Sequence, residues 1–210
     1  MGSEEPVKLD LDRLIRAKMH VKRGDNLPFT GWNKKFSRIE LAEIFAEAGF
    51  KTGAEVGVRR GAYSYTICEK NPGIKMFCID PYIPYRGRRP TPEHMDRVFK
   101  VAQKNLSKFN CIFIRKTSMD AVKDFADGSL DFIYIDAMHE FDPVMMDIIC
   151  WVPKVRVGGI VSGHDYVDSY AVGVPHAVRS YTYAHNINEW YITRDYGVGE
   201  QMPSWFWVKK

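Results

Sequence analysis

The chain has 210 residues, of which 45% are hydrophobic and 27% are charged, and a formal net charge of +4 at pH 7. This length and composition fit one globular domain of ordinary size and exclude a mainly disordered chain. The positive charge is well below the usual signature of a nucleic-acid-binding domain. The apolar runs are too short to span a bilayer and the N-terminus lacks the features of a signal peptide, so we expect a cytoplasmic protein.

The four cysteines, at positions 68, 78, 111 and 150, form no C-x-x-C pair. Their sequence neighbours are mostly apolar. We therefore interpret them as reduced core residues, and not as a disulfide framework or a zinc site.

The first 36 residues are predicted to form an N-terminal extension, followed by the main domain at 37–210. Apolar residues at helical spacing predict an amphipathic helix over 7–19, and a segment with glycine, asparagine and proline predicts a loop over 23–36. Ser37, with Glu40 three residues later, forms a capping box that predicts the start of the next helix.

Strand and helix signals alternate through the centre of the chain. The predicted strands cover 54–58, 75–80, 111–114, 130–136 and 159–163, and the helices between them cover 62–70, 92–106, 121–125 and 143–152. A helix over 174–184 and two strands, 190–193 and 205–208, complete the chain. Because the central strands are continuous apolar runs, they are typical of a parallel sheet buried on both faces. The last two strands form a hairpin, which makes the pairing at the C-terminus antiparallel.

Polar and small residues follow each of the predicted strands. In an open α/β sheet, ligands bind beyond the carboxyl ends of the strands, so these residues are expected to gather into one site. In chain order they are Glu55, Gly57 and Gly61, then Asp80, then Thr117, Ser118 and Met119, then Asp136 and His139, and finally His164 and Asp165.

The turn between Gly57 and Gly61 allows backbone N–H groups to approach a ligand at the start of a helix. A dinucleotide site has three close glycines in the pattern G-x-G-x-x-G, whereas this chain has G-x-x-x-G preceded by Glu55. An acid beside the turn suits a sulfonium or ammonium group better than a pyrophosphate. Asp80, 19 residues past Gly61, can accept the hydroxyls of a ribose. These features favour S-adenosylmethionine over a nicotinamide cofactor.

The strand-end segments, taken together, resemble those of a class I S-adenosylmethionine-dependent methyltransferase. The segments that carry the resemblance are 55–64, 78–80, 132–136, His139 and 158–166, and the resemblance covers roughly residues 38–170. Within the superfamily, the chain is similar to a small bacterial group that includes macrolide and aminocoumarin sugar O-methyltransferases and cephalosporin-hydroxylase-like proteins. The implied fold is a doubly wound, mostly parallel, seven-stranded Rossmann-like sheet with an antiparallel C-terminal strand.

The resemblance also implies a role for each matching residue. Glu55 and Gly57 would line the methionine end of the cofactor, and Gly61 and Ser64 would meet its carboxylate. Asp80 would bind the ribose, and Ser118 and Met119 would flank the adenine. Asp136 would face both the sulfonium and the acceptor.

Related O-methyltransferases bind a divalent cation at positions that correspond here to Asp136, His164 and Asp165. Because His164 replaces a carboxylate, this set is less suited to magnesium than to manganese, iron or zinc. A metal-free site is the alternative, with a histidine as the base. His139 and His164 are the candidates, since a hydroxyl acceptor has to lose its proton during transfer.

The predicted function is methyl transfer from S-adenosylmethionine to a small molecule, with a hydroxyl oxygen as the expected acceptor atom. The segment Arg86–Arg89 lies after Asp80 among tyrosines, a composition that favours an anionic or aromatic acceptor. An RNA methyltransferase and a non-catalytic cofactor-binding or assembly protein of the same fold are the alternatives. No membrane partner is expected, and a homo-oligomer is left open.

Overall fold

The computed structural model describes residues 10–22, 26–31, 36–84, 90–169, 172–194 and 202–210. The helices are α1 (Leu11–Met19), α2 (Arg38–Glu47), α3 (Ala62–Lys70), α4 (Pro92–Leu106), α5 (Ser118–Ala121), α6 (Phe141–Trp151) and α7 (Val174–Ala184). The strands are β1 (Thr52–Val56), β2 (Lys75–Ile79), β3 (Cys111–Ile114), β4 (Leu130–Ile135), β5 (Val155–Gly163), β6 (Tyr191–Ile192) and β7 (Trp205–Val208). Within these ranges no helix has the length and apolar character needed to cross a bilayer.

The strands form one seven-stranded sheet in the order β3-β2-β1-β4-β5-β7-β6. Strands β1 to β5 are parallel, and β7 is antiparallel to both β5 and β6. This arrangement confirms the predicted Rossmann-like fold. The chain order reverses between β1 and β4, which places the expected binding crevice at the carboxyl ends of these two strands.

The bounds of α3, α4, β3, α7 and β7 agree with those predicted from the sequence. Strand β1 begins and ends two residues earlier than predicted, because Gly57 has a φ of +96° and leaves the extended conformation. The short helix predicted over 121–125 begins earlier, at Ser118. Its cap is Thr117, whose side chain accepts a hydrogen bond from the backbone N–H of Asp120.

Each face of the sheet carries its own apolar core. The core on one face includes residues from α1, α2 and α3, and the core on the other face includes residues from α6 and α7. The described part of 1–36 belongs to the first core, with Ile15 and Met19 fully buried. Phe29 exchanges backbone hydrogen bonds with Trp190 and Ile192 at 2.9 and 3.0 Å, which attaches this segment beside β6. The domain boundary at 36/37 stays a prediction.

Candidate active site

The glycine turn after β1 packs directly against the end of β4. Gly57 and Gly61 have φ angles of +96° and +77°, in the region that favours glycine. A Cβ atom on Gly57 would lie 1.9 Å from the carbonyl oxygen of Asp136. The absence of a side chain at Gly57 therefore allows the turn and the end of β4 to pack together, and the N–H groups of Gly57 and Gly61 donate to the carbonyls of Ile79 and Val58, both at 2.8 Å.

Asp80 is held against the same turn by two backbone hydrogen bonds. Its Oδ2 accepts from the N–H of Arg59 and its Oδ1 accepts from the N–H of Tyr82, both at 2.8 Å. Burial raises the pKa of Asp80, and these two hydrogen bonds oppose the rise. The carboxylate is thus fixed at the crevice, and each oxygen keeps a second lone pair that could accept a hydrogen bond from a hydroxyl group.

Glu55 and Ser64 lie beneath the turn and not on the surface of the crevice. Glu55 is 2% exposed and Ser64 is fully buried. The Ser64 hydroxyl donates to Glu55 Oε2. Burial raises the pKa of Glu55 to about 8, although its contacts with Ser64 and the charge of Arg38 favour ionisation. The two side chains are hydrogen-bonded to each other, so they can support the turn from below.

The hydroxyl of Ser118, at the start of α5, is already engaged on both sides. It donates to Asp147 Oδ1 and accepts from Trp151 Nε1 at 2.8 Å. Asp147 is 4% exposed, and burial raises its pKa to about 6. Ser118 therefore positions a buried acid of α6, while Met119 beside it is half-buried.

Two acids and two histidines meet where β4 and β5 end. His139 Nε2 lies 2.9 Å from Asp165 Oδ2 and 3.9 Å from Asp136 Oδ1. His164 Nδ1 lies 3.3 Å from Asp165 Oδ1 and 3.8 Å from Asp136 Oδ1. Asp165 has a φ of +55°, an uncommon conformation that turns the chain after β5. Both histidines therefore face both acids.

The pKa values of the two acids in this cluster are shifted in opposite directions. Burial raises the pKa of Asp136 to about 6, and Asp165 adds to the rise. The pKa of Asp165 is lowered well below its ordinary value because hydrogen bonds from His139 and His164 outweigh its burial. The pKa of His139 is raised by its hydrogen bond to Asp165. The geometry favours an ionised Asp165 paired with His139.

A narrow cavity of about 10 Å³ lies at this cluster, close to the minimum for one water molecule. Its lining includes Asp136, His139, Val144, His164 and Trp205. Within the described part of the chain, His164 Nε2 and Trp205 Nε1 are buried and have no hydrogen-bond partner. A buried polar atom without a hydrogen-bond partner destabilises the folded protein unless a ligand or a water molecule bonds to it. These two nitrogen atoms are therefore available to hydrogen-bond a methyl-acceptor molecule in the cavity.

The donor set of the cluster fits a divalent cation. One ligand atom from each of Asp136, His139 and Asp165 lies within 4.8 Å of the others. This group contains His139, whereas the sequence-based set contains His164. Two carboxylates and one imidazole suit manganese, iron or zinc better than magnesium.

The segment Arg86–Arg89 lies outside the described residues. Trp205, the first residue of β7, is 1% exposed in the sheet core and also lines the cavity. Because β7 is antiparallel, its first residue lies at the edge where the parallel strands end, although it does not follow any of those strands in the chain.

Comparison with solved structures shows the same fold in proteins with different acceptors. The chain matches an O-methyltransferase from Bacillus cereus in complex with S-adenosylhomocysteine, with a TM-score of 0.58 and 13% identity over 98% of this chain and 92% of that one. It matches the N-methyltransferase NodS from Bradyrhizobium japonicum with a TM-score of 0.56 and 12% identity, over 82% and 94%. A Clostridium thermocellum protein provisionally described as an rRNA methylase gives a TM-score of 0.59 and 10% identity, over 84% and 98%. At these identities the likeness shows the fold alone.

Sequence comparison gives the family. Over 52 residues, 25% of the chain, it is 35% identical to the Sinorhizobium fredii protein y4gI, but it spans only 6% of that protein's length. The profile of a family described as a methyltransferase domain matches residues 54–166, more than half of the chain. The matched segment runs from β1 to the loop after β5 and contains the glycine turn, Asp80 and the cluster of acids and histidines. The chain therefore belongs to the class I S-adenosylmethionine-dependent methyltransferases.

Proposed function

We propose that this methyltransferase transfers the methyl group to a hydroxyl oxygen of a small-molecule acceptor. The observation that carries the proposal is the contact between His139 Nε2 and Asp165 Oδ2, at 2.9 Å, beside the cavity at the end of β4. A hydroxyl is a poor nucleophile until its proton is removed, and a histidine held by a carboxylate is suited to accept that proton.

The described residues also support an assignment for the cofactor site. The Gly57–Gly61 turn would hold the methionine end, with Glu55 and Ser64 supporting it from below. Asp80 would hold the ribose, and Met119 would flank the adenine, with Ser118 acting through Asp147. S-adenosylmethionine supplies an electrophilic methyl group on its sulfonium. Asp136, at the end of β4, would face both this group and the acceptor.

Two histidines can accept the proton of the acceptor hydroxyl. His139 is held through Nε2, which leaves its Nδ1 to accept the proton, whereas His164 is held through Nδ1, which leaves its buried Nε2. In the metal-free protein, His139 would take the proton. When Asp136, His139 and Asp165 hold a divalent cation, which would lower the pKa of a hydroxyl bound to it, His164 would take the proton instead.

The test is a transfer assay on a matched panel of acceptors. Release of S-adenosylhomocysteine is measured with phenols and sugar hydroxyls, and with amines of the same carbon skeletons, with and without EDTA and added Mn²⁺. Faster transfer to hydroxyls supports the proposal, and transfer confined to amines contradicts it. Loss of transfer in EDTA with recovery in Mn²⁺ would support the metal-bound arrangement, with His164 as the base, and transfer unaffected by EDTA would support the metal-free one, with His139 as the base.

The same assay distinguishes the two alternative functions. Transfer to RNA, with binding that falls steeply as salt is increased, would replace the small-molecule proposal by an RNA methyltransferase. Saturable binding of S-adenosylmethionine without transfer to any compound in the panel would support a non-catalytic protein.

A further inference from the structure

Three of the four cysteines come together on the sheet face that carries α3. Cys68 on α3 and Cys111 on β3 have their Sγ atoms 3.7 Å apart. Cys78 on β2 lies beside them, with its Sγ 3.5 Å from Ser64 Oγ and its thiol close to that of Cys111. The sequence alone separates these residues by up to 43 positions, so their proximity arises only from the packing of α3 on the sheet.

We propose that Cys68 and Cys111 are a reversible oxidation site, at which a peroxide converts the two thiols into a disulfide bond. The proposal does not depend on the acceptor or on the cofactor assignments above. It extends the reading of these cysteines as reduced core residues: the reduced pair is the resting form, and the disulfide is the product of oxidation.

The pairing is specified by position. Cys68 lies on α3, which packs against β2, and Cys111 lies on β3, the neighbour of β2. Their sulfurs are 3.7 Å apart, and a rotation of the side chains would have to shorten this distance to about 2.0 Å. Cys78 is placed less favourably, because in the register of β2 and β3 the partner of Cys111 is Met76 and the partner of Cys78 is Phe113. Parallel strands lie about 4.8 Å apart with a rise of about 3.3 Å per residue, so a pair displaced by two residues has its Cα atoms about 8 Å apart, beyond the usual range for a disulfide.

The order of the chemical steps follows from exposure. Strand β3 is at the edge of the sheet, and Cys111 is half-buried there, whereas Cys68 is 2% exposed. A small peroxide can therefore reach Cys111 first. The contact with Cys68 and Cys78 lowers the pKa of Cys111 and raises the pKa of Cys68 and of Cys78, so within this cluster the thiolate forms on Cys111.

The reaction balances with one peroxide molecule. The Cys111 thiolate attacks hydrogen peroxide, its sulfur becomes a sulfenic acid, and hydroxide leaves. The Cys68 thiol then loses its proton as its sulfur attacks that sulfur, the S–S bond forms, and a second hydroxide leaves. The two hydroxides take up the two thiol protons, so two thiols and one hydrogen peroxide give one disulfide and two waters. An added dithiol reverses the process by exchange.

The disulfide bond would constrain the segment that carries Asp80 and the glycine turn next to it. The chain between Cys68 and Cys111 contains β2, Asp80 and α4, and α3 itself begins directly after Gly61. Oxidation would therefore join the helix behind the glycine turn to the edge strand and close the segment that carries Asp80 into a covalent loop.

Tryptic digestion gives a direct test, because each cysteine falls on its own peptide. These peptides are 61–70 for Cys68, 76–86 for Cys78, 109–115 for Cys111 and 124–154 for Cys150. Reduced protein is desalted, treated with hydrogen peroxide, alkylated and digested without reductant. We expect peptides 61–70 and 109–115 joined with the loss of two hydrogen atoms, and their separation after treatment with dithiothreitol.

Variants make the result decisive. Cys68→Ser and Cys111→Ser should each abolish the linked peptide, while Cys150→Ser and Cys78→Ser should retain it. Thermal unfolding identifies any variant that fails to fold, and Cys68→Ala is the substitute for Cys68→Ser. A link between 76–86 and 109–115, a covalent dimer on a non-reducing gel, or four alkylated thiols after peroxide would each overturn the proposal.

Discussion

His139 Nε2 lies 2.9 Å from Asp165 Oδ2, and this contact joins the loop that follows β4 to the loop that follows β5. The two residues are 26 positions apart in the chain, and neither is fully buried. The same contact brings His139 into the group of ligand atoms that can hold a cation, together with Asp136. The candidate metal set read from the sequence contained His164 at this place, so the two sets make different predictions.

Binding of Mn²⁺ to protein freed of metal by a chelator separates these sets. We expect His139→Ala to weaken binding at least about tenfold, because it removes one of three ligands. His164→Gln should weaken binding less than His139→Ala does, since His164 lies outside the group of converging ligand atoms and contacts it through Asp165, at 3.3 Å. Isothermal titration calorimetry or the paramagnetic signal of free Mn²⁺ measures both. The reverse order of effects would favour the set with His164, and no saturable binding would leave the metal-free arrangement.

Asp80 is expected to contribute to cofactor affinity through its position against the glycine turn. Asp80→Asn keeps one acceptor oxygen but loses the charge, and hydrogen bonds to a charged group contribute about 1.5–3 kcal/mol. We therefore expect the Kd of S-adenosylhomocysteine to rise about tenfold to a hundredfold. The matched control is Asp96→Asn on α4, whose exposed carboxylate pairs with Arg115. An unchanged Kd in a folded Asp80→Asn protein would contradict the ribose assignment.

The substitution Gly57→Ala tests whether the turn requires a residue without a side chain at this position. Gly57→Ala places a Cβ 1.9 Å from the carbonyl oxygen of Asp136 in addition to the strain of a φ of +96°. Gly49→Ala is a close control, because Gly49 also has a positive φ, +68°, but no atom lies within 4 Å of its added Cβ. We expect Gly57→Ala to lower the free energy of unfolding by at least about 2 kcal/mol more than Gly49→Ala does. Urea denaturation compares the two, and equal losses would show that the clash is relieved by a backbone shift.

The sequence contained enough information for the sheet and for the gathering of residues at its edge. Apolar runs such as Leu130–Ile135 and the cap at Ser37 are local signals, and each depends on a few neighbouring residues. Because ligands bind beyond the carboxyl ends of parallel strands, the positions of Asp80, Asp136 and Asp165 in the sequence were enough to predict that they share one edge of the sheet.

What the sequence did not contain was the direction and partner of individual side chains. The bond between Ser118 and Asp147 joins residues 29 positions apart, so no local pattern reports it. Strand β1 is buried on both faces, and its apolar pattern does not tell which face Glu55 occupies. Trp205 reaches the cavity only because β7 runs antiparallel, which depends on how the C-terminal hairpin joins β5.

The buried position of Glu55 should make the free energy of unfolding depend on pH. Burial raises its pKa from 4.5 to about 8, so the folded protein holds a proton on this group that the unfolded chain loses above pH 4.5. The contribution of the neutral acid is therefore fully present below pH 4.5 and is lost as the pH rises toward 8. Across that range the free energy of unfolding should fall by up to about 1.4 kcal/mol per pH unit.

Glu55→Gln should remove this dependence, because glutamine stays neutral and still accepts a hydrogen bond from Ser64. The difference in the free energy of unfolding between Glu55→Gln and the wild type should rise in favour of the variant from pH 5 to pH 8. Glu69→Gln, at an exposed position on α3, controls for the loss of one negative charge. Urea denaturation at several pH values measures all three proteins. If the curves for Glu55→Gln and the wild type ran parallel, Glu55 would be ionised in the folded state, which would fit the role at the methionine end of the cofactor that the resemblance to methyltransferases implies.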